Sequence, residues 1–142
     1  MALGPCRRGR VGSVKRPTPP RELTAGFHGA ALQRARELGC SCFLAPFDDE
    51  NRYCFGKWEA FHFFGRQELR NAPALYGLER DYVELIEWDG RNAGLGCEGH
   101  HRRLDRHATP TLILPRIALP DDTEEFVADY GLESLAERRF PL

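Results

Sequence analysis

The stretch RNAGLGCEGHHRRLDRH, residues 91–107, sets Cys97 and His100 two residues apart and follows them at once with His101. A cysteine and a histidine at C-x-x-H spacing, at a turn entering a helix, can both reach one tetrahedral Zn²⁺. His101 leaves the helix about 100° further round. It is therefore poorly placed for the same ion and free for a second task. Upstream stand Cys40, Cys42 and Cys54. Cys42 and Cys54 can complete a four-ligand zinc set, with Cys40 a rival to Cys42 because C-x-C offers either thiol. The competing reading is buried, unligated thiols, which are common core residues.

The chain carries five cysteines, an odd number, and no apolar leader follows its basic start. That argues against a disulfide framework and favours metal ligation. No apolar run approaches the roughly 20 residues of a membrane span. By elimination the sequence points to a soluble, cytoplasmic protein. Its 142 residues suit one domain. Net charge is −1, but it is unevenly spread. Residues 1–21 carry Arg7, Arg8, Arg10, Lys15, Arg16 and Arg21 and no acid, whereas residues 121–137 carry seven acids and no base. A cationic arm of this kind suits phosphate contacts on nucleic acid, or is simply a solvated tail.

Three Gly and four Pro in residues 1–21 leave no helix or strand pattern, so a flexible basic arm is expected there. Residues 22–142 then form one domain. Phe27, Ala31, Ala35 and Leu38 share a helical face over about Thr24–Leu38, and Gly39 supplies the stop. KWEAFHFF, residues 57–64, reads as a strand, with Trp58, Ala60, His62 and Phe64 on one face and Glu59, Phe61 and Phe63 on the other. RQELRNAPALYGLERD predicts a short helix and a loop. DYVELIEW fits either a helical turn or a strand. Asp89-Gly90 predicts a turn, residues 92–97 a short strand, and GHHRRLDRH a short helix. Asp122 with Glu125 approaches a capping box for the first of two C-terminal helices, about 121–140. His62, taken alone, is more simply a core histidine, and His107 a surface residue. The fold class expected is small α+β.

EAFHFFGRQELR and WDGRNAGLGCEGHHRRLDRH together resemble the HNH endonucleases, the ββα-metal or His-Me finger nucleases, and within them the phage and actinobacterial members with zinc knuckles. Arg91-Asn92 stands five residues before Cys97, and Cys97, His100 and His101 occupy the C-x-x-C-H positions, His100 replacing the second Cys. The segment LPDDTEEFVADYGLESLAERRFP is similar to the C-terminal part of such members, so the resemblance spans about residues 40–141. It implies a ββα core at about 54–107 and a metal-dependent endonuclease hydrolysing DNA phosphodiester bonds. His62 would be the general base, Asn92 a brace or ligand, and His101 a ligand of one catalytic divalent ion, Mg²⁺ or another. Zinc on Cys42, Cys54, Cys97 and His100 would be structural. DNA would be the partner, met by the arm and by Arg102 and Arg103, in a bacterial or phage-infected cell, with phage packaging proteins as further partners. The chain departs from the pattern at Phe61, where the family carries a metal-ligating Asp or His. Phenylalanine cannot ligate a hard cation. Asn92 and another group, such as Asp105 one helical turn beyond His101, can complete the site. Alternatively the ion leans on the DNA phosphate, or the domain is a catalytically degenerate, zinc-stabilised DNA-binding or packaging accessory module.

Overall fold

The computed structural model describes residues 21–48 and 52–142. Arg7, Arg8, Arg10, Lys15 and Arg16 of the expected arm lie outside the described residues. Arg21 does not belong to an arm; it opens helix α1, Arg21–Glu37. Phe27, Ala31, Leu32 and Ala35 form the buried face of α1. Its end is fixed by two reversed bonds, Gly39 N–H to Arg36 O at 3.1 Å and Cys40 N–H to Ala35 O at 2.7 Å. This is a Schellman turn, and Gly39 takes the left-handed φ of 74° that it needs.

Strand β1 (Trp58–His62) pairs antiparallel with β2 (Ala93–Cys97), and helix α4 (Glu98–Leu104) leaves directly from β2. Between the strands lie α2 (Arg66–Asn71) and α3 (Arg80–Glu87). The stretch DYVELIEW is therefore helical, because Val83, Ile86 and Glu87 bury one face. After α4 come α5 (Asp121–Asp129) and α6 (Glu133–Arg139). Among the described residues no helix is long and apolar enough to cross a membrane.

Register decides which side chains meet. Phe61 stands opposite Gly94 and Glu59 opposite Gly96. A Cβ at Gly94 would collide with the Phe61 ring, so the ring occupies the space a side chain there would need. On the opposite face, Phe27, Ala31 and Leu32 of α1 pack with Trp88, Ala93 and Leu95, and Trp58 and Ala60 join them. Phe64 departs from the expected alternation. The strand ends at His62, and Phe64 joins the other cluster with Phe61, Phe63, Leu69, Phe126 and Phe140.

Asn92 holds the strand entry together. It is fully buried; its Oδ1 accepts from Phe64 N at 2.8 Å, and its Nδ2 donates to Phe64 O at 3.0 Å and Glu87 O at 3.3 Å. Every polar atom of its amide is thus used on backbone groups that would otherwise be orphaned. The expected capping box at Asp122 does not form. Pro120, two residues before Asp122, takes the N-cap position of α5, with no side-chain cap. Asp122 instead receives both Nη groups of Arg34 at 3.0 Å, tying α5 to α1.

Candidate metal centre and adjoining cavity

Cys42 lies just beyond the Schellman turn, Cys54 on the chain returning to β1, Cys97 at the end of β2 and His100 in the first turn of α4. All four are buried, and one ligand atom from each lies within 4.8 Å of the others. Cys97 Sγ stands 3.2 Å from His100 Nδ1, and Cys42 Sγ stands 3.6 Å from it. Ligands around a tetrahedral zinc are about 3.3–3.8 Å apart, given metal–ligand bonds of about 2.0–2.3 Å. Three thiols and an imidazole at these separations can hold a metal ion. Cys40 is not in the group; its left-handed φ of 56° belongs to the turn that ends α1.

Electrostatics within the cluster point the same way. The hydrogen bond from Cys42 outweighs burial and brings the Cys97 thiol down to about 5. The same contact, with burial, pushes Cys42 up, and burial followed by the charge on Cys97 pushes Cys54 up to about 11. One thiolate forms readily and the others resist, as expected for sulfurs crowded together without a counter-charge. A divalent cation supplies that charge and favours the deprotonated ligands.

His100 turns Nδ1 to the sulfurs and Nε2 to Asp48 Oδ2 at 2.8 Å, and Asp48 also accepts from Tyr53 N at 3.3 Å. A carboxylate on the far nitrogen fixes the ring and its tautomer. Asp48→Ala is expected to weaken metal binding by about 10–100-fold while leaving the stoichiometry at one. Competition with a chromogenic chelator measures this directly. Unchanged affinity would show that Asp48 contributes nothing to the centre.

On the other side of α4 opens a cavity of about 600 Å³, walled by α1, β1, the start of α2 and the end of α4. His62 lies here. Its ring stacks on Phe27 at 4.3 Å and meets Trp88 edge-on at 4.9 Å. Its Nε2 is shielded from solvent and makes no hydrogen bond among the described residues. Burial, reinforced by the charge of Arg66, lowers the imidazole to about 3, so it is neutral at pH 7. His101 faces the same cavity with both nitrogens engaged: Nδ1 to Glu59 Oε1 at 2.9 Å and Nε2 to Asp105 Oδ2 at 2.8 Å. Burial alone would lower His101, but the bonds to Asp105 and Glu59 prevail and raise it. For Asp105, burial is likewise outweighed by His101, and its carboxyl is lowered.

Phe61 is fully buried, 5.1 Å from Phe63 and 6.1 Å from the His101 ring, centroid to centroid. Arg103 turns inward rather than to solvent, 3.5 Å over the Tyr53 ring and bonded to Gly99 O at 2.9 Å. Arg102 is exposed and pairs with Glu98 at 3.2 Å. His107 is exposed at the rim of the cavity.

The structure thus gathers Cys42, Cys54, Cys97 and His100 at one centre and His62 and His101 at one cavity, with Asn92 bracing the entry to β2. Sequence reasoning passed over Glu59 and Asp48. Glu59 was signalled by strand alternation, which puts it on the face of Phe61. Asp48 opens the run DDEN, residues 48–51, a composition that by itself predicts only a turn. No family model, curated protein or solved structure matches the chain.

Proposed function

We propose that the chain is a metal-dependent endonuclease of the HNH type that hydrolyses DNA phosphodiester bonds. The observation that carries this reading is the unpartnered, neutral His62 Nε2, which shares one cavity with the His101–Asp105 pair. The β1–β2–α4 succession supports it, since a strand pair running directly into a helix is the layout the resemblance implies. His101 Nε2 and Asp105 would hold a hard divalent ion such as Mg²⁺, which commonly needs only one or two protein ligands and completes its shell with water and substrate phosphate. When bound, that ion supplies charge stabilisation at the phosphate and at the leaving 3′ oxygen. In the tautomer protonated at Nδ1, His62 Nε2 takes the proton of the attacking water. The negative charge of an arriving phosphate favours the imidazolium that results. Phe27 and Trp88 hold the ring in place while this happens. The Cys42, Cys54, Cys97 and His100 centre carries zinc and works as a staple between the loop before β1 and α4.

The buried Phe61 favours a second reading, a catalytically degenerate zinc-stabilised module that binds DNA or serves packaging. Relaxation of supercoiled plasmid, with Mg²⁺, Mn²⁺ and Ni²⁺ added separately, separates the two when wild type and Phe61→His are compared. The nuclease reading expects wild-type relaxation with at least one ion. Relaxation by Phe61→His alone would establish the degenerate module.

A further inference from the structure

We propose that Arg66 is the phosphate anchor of this cavity, a substrate-binding residue whose Nη1 donates to a non-bridging phosphate oxygen. The proposal rests on the cavity being a phosphodiester site. Arg66 opens α2, and its side chain is 12% exposed. Its Nε donates to Glu87 Oε2 at 3.1 Å, and its guanidinium lies 5.2 Å from the centre of the Trp88 ring. Two contacts therefore fix the plane of the fork. Nη1, in contrast, is buried and makes no hydrogen bond among the described residues. A buried guanidinium N–H without a partner is costly, and a phosphate oxygen entering the cavity that Arg66 lines would relieve it.

Charge balance agrees. Glu87 is shared, since its other oxygen accepts from Arg70 Nε at 2.7 Å. One carboxylate between two guanidiniums leaves a net positive charge beside His62, and Arg66 is the charge that most depresses that imidazole. The cavity thus carries Glu59 and Asp105 on one wall and Arg66 on another, where the neighbouring Glu68 is balanced by Arg139 at 3.5 Å. An anion is repelled by the first wall and attracted by the second. Arg139 also lines the cavity, but its Nε faces Phe63 O at 3.3 Å and Glu68 at 3.5 Å. Arg66 alone pairs a fixed fork with a shielded, unpaired N–H in this cavity. Trp88 Nε1 also lines this cavity buried and without a partner among the described residues, so it is a second donor beside Arg66, and the donors and His62 divide the work by chemistry. Arg66 can only donate, which suits a phosphate oxygen; neutral His62 can accept, which suits water. A fork of donors recognises phosphate better than a point charge does.

The test uses the full chain loaded with zinc and a fluorescent 20-base-pair duplex, without added divalent ion, so that binding is read apart from cleavage. Arg66→Lys keeps a charge for Glu87 and is the main variant; Arg66→Met removes it, and melting curves accompany both. Arg66→Lys is expected to weaken duplex binding roughly tenfold, the order of one charge-assisted hydrogen bond. The salt slope should be unchanged in Arg66→Lys and fall by about one in Arg66→Met. Inorganic phosphate should displace duplex from the wild type and quench Trp88 fluorescence, with the quench lost in Trp88→Phe. Wild-type affinity in folded Arg66→Lys and Arg66→Met overturns the proposal, as does absence of any phosphate effect on the wild type. Weakened duplex binding with no cleavage under any ion upholds Arg66 and sinks the nuclease reading. Ion-dependent cleavage indifferent to Arg66 does the reverse.

Discussion

Cys97→Ser is expected to abolish metal binding at the four-ligand centre and the cooperative unfolding transition together. Cys97 is the junction of the fold. It ends β2, its Sγ accepts from His100 N at 3.3 Å, its N–H points to Cys42 Sγ at 3.3 Å, and it stands opposite Trp58 in the sheet. Serine keeps the cap but loses the thiolate, so the effect isolates metal binding from helix capping. A structural zinc contributes about 10–16 kcal/mol in small domains, and total stability is usually about 5–15 kcal/mol. Losing one of four ligands therefore consumes much of the margin. Metal content by atomic spectroscopy should drop from one equivalent towards none, and the melting curve should broaden or vanish. Cys40→Ser serves as the control, because Cys40 stands outside the ligand group. Equal metal loss in both variants would contradict the assignment of Cys42 over Cys40.

His62→Ala is expected to lower the plasmid nicking rate by about 10²–10⁴-fold, the usual contribution of a general base, while zinc content stays at one. The ring sits between Phe27 and Trp88 and forms no hydrogen bond through Nε2, so its removal leaves no polar group stranded. His62→Phe, which fills the same space, carries a separate signature in acid. The imidazole is lowered on folding, so the unfolded chain binds the proton more tightly. Stability from a neutral His62 is complete above the unfolded value near 6.5 and is lost as pH falls towards about 3. The slope in that window is about 1.4 kcal/mol per pH unit. Urea unfolding at pH 7 and pH 4.5 should therefore show a smaller acid loss in His62→Phe than in wild type. Identical losses would mean that His62 is not buried as a neutral base.

Several of these features were legible in the sequence because they depend on local pattern. Alternation in KWEAFHFF separates Phe61 from His62, and C-x-x-H spacing places Cys97 and His100 on one side of a turn. The rest depends on pairs far apart in the chain. Spacing offers Cys40 and Cys42 equally, and the choice is made by the left-handed turn after α1, which carries Cys40 away. Asp122 looked like a cap because nothing nearby competes for it; Arg34, 88 residues earlier, claims it. Arg103 looked like a surface cation, yet Tyr53 takes its guanidinium. Glu59 reaches His101 only because the β1–β2 register sets α4 beside β1. The helix at DYVELIEW is settled by the burial of Val83 and Ile86 against a core that local propensity does not see.

The most direct measurement is nicking of supercoiled plasmid by the full, zinc-loaded chain, with metal counted in the same sample and the nicks tested for resealing by a DNA ligase. Cleavage that expels the 3′ oxygen leaves a 5′ phosphate and a 3′ hydroxyl, the ends a ligase requires. The account predicts nicks that appear only with an added divalent ion, reseal with ligase, and are absent from His62→Ala. Intact plasmid with every ion, from protein carrying one zinc and melting cooperatively, would contradict it.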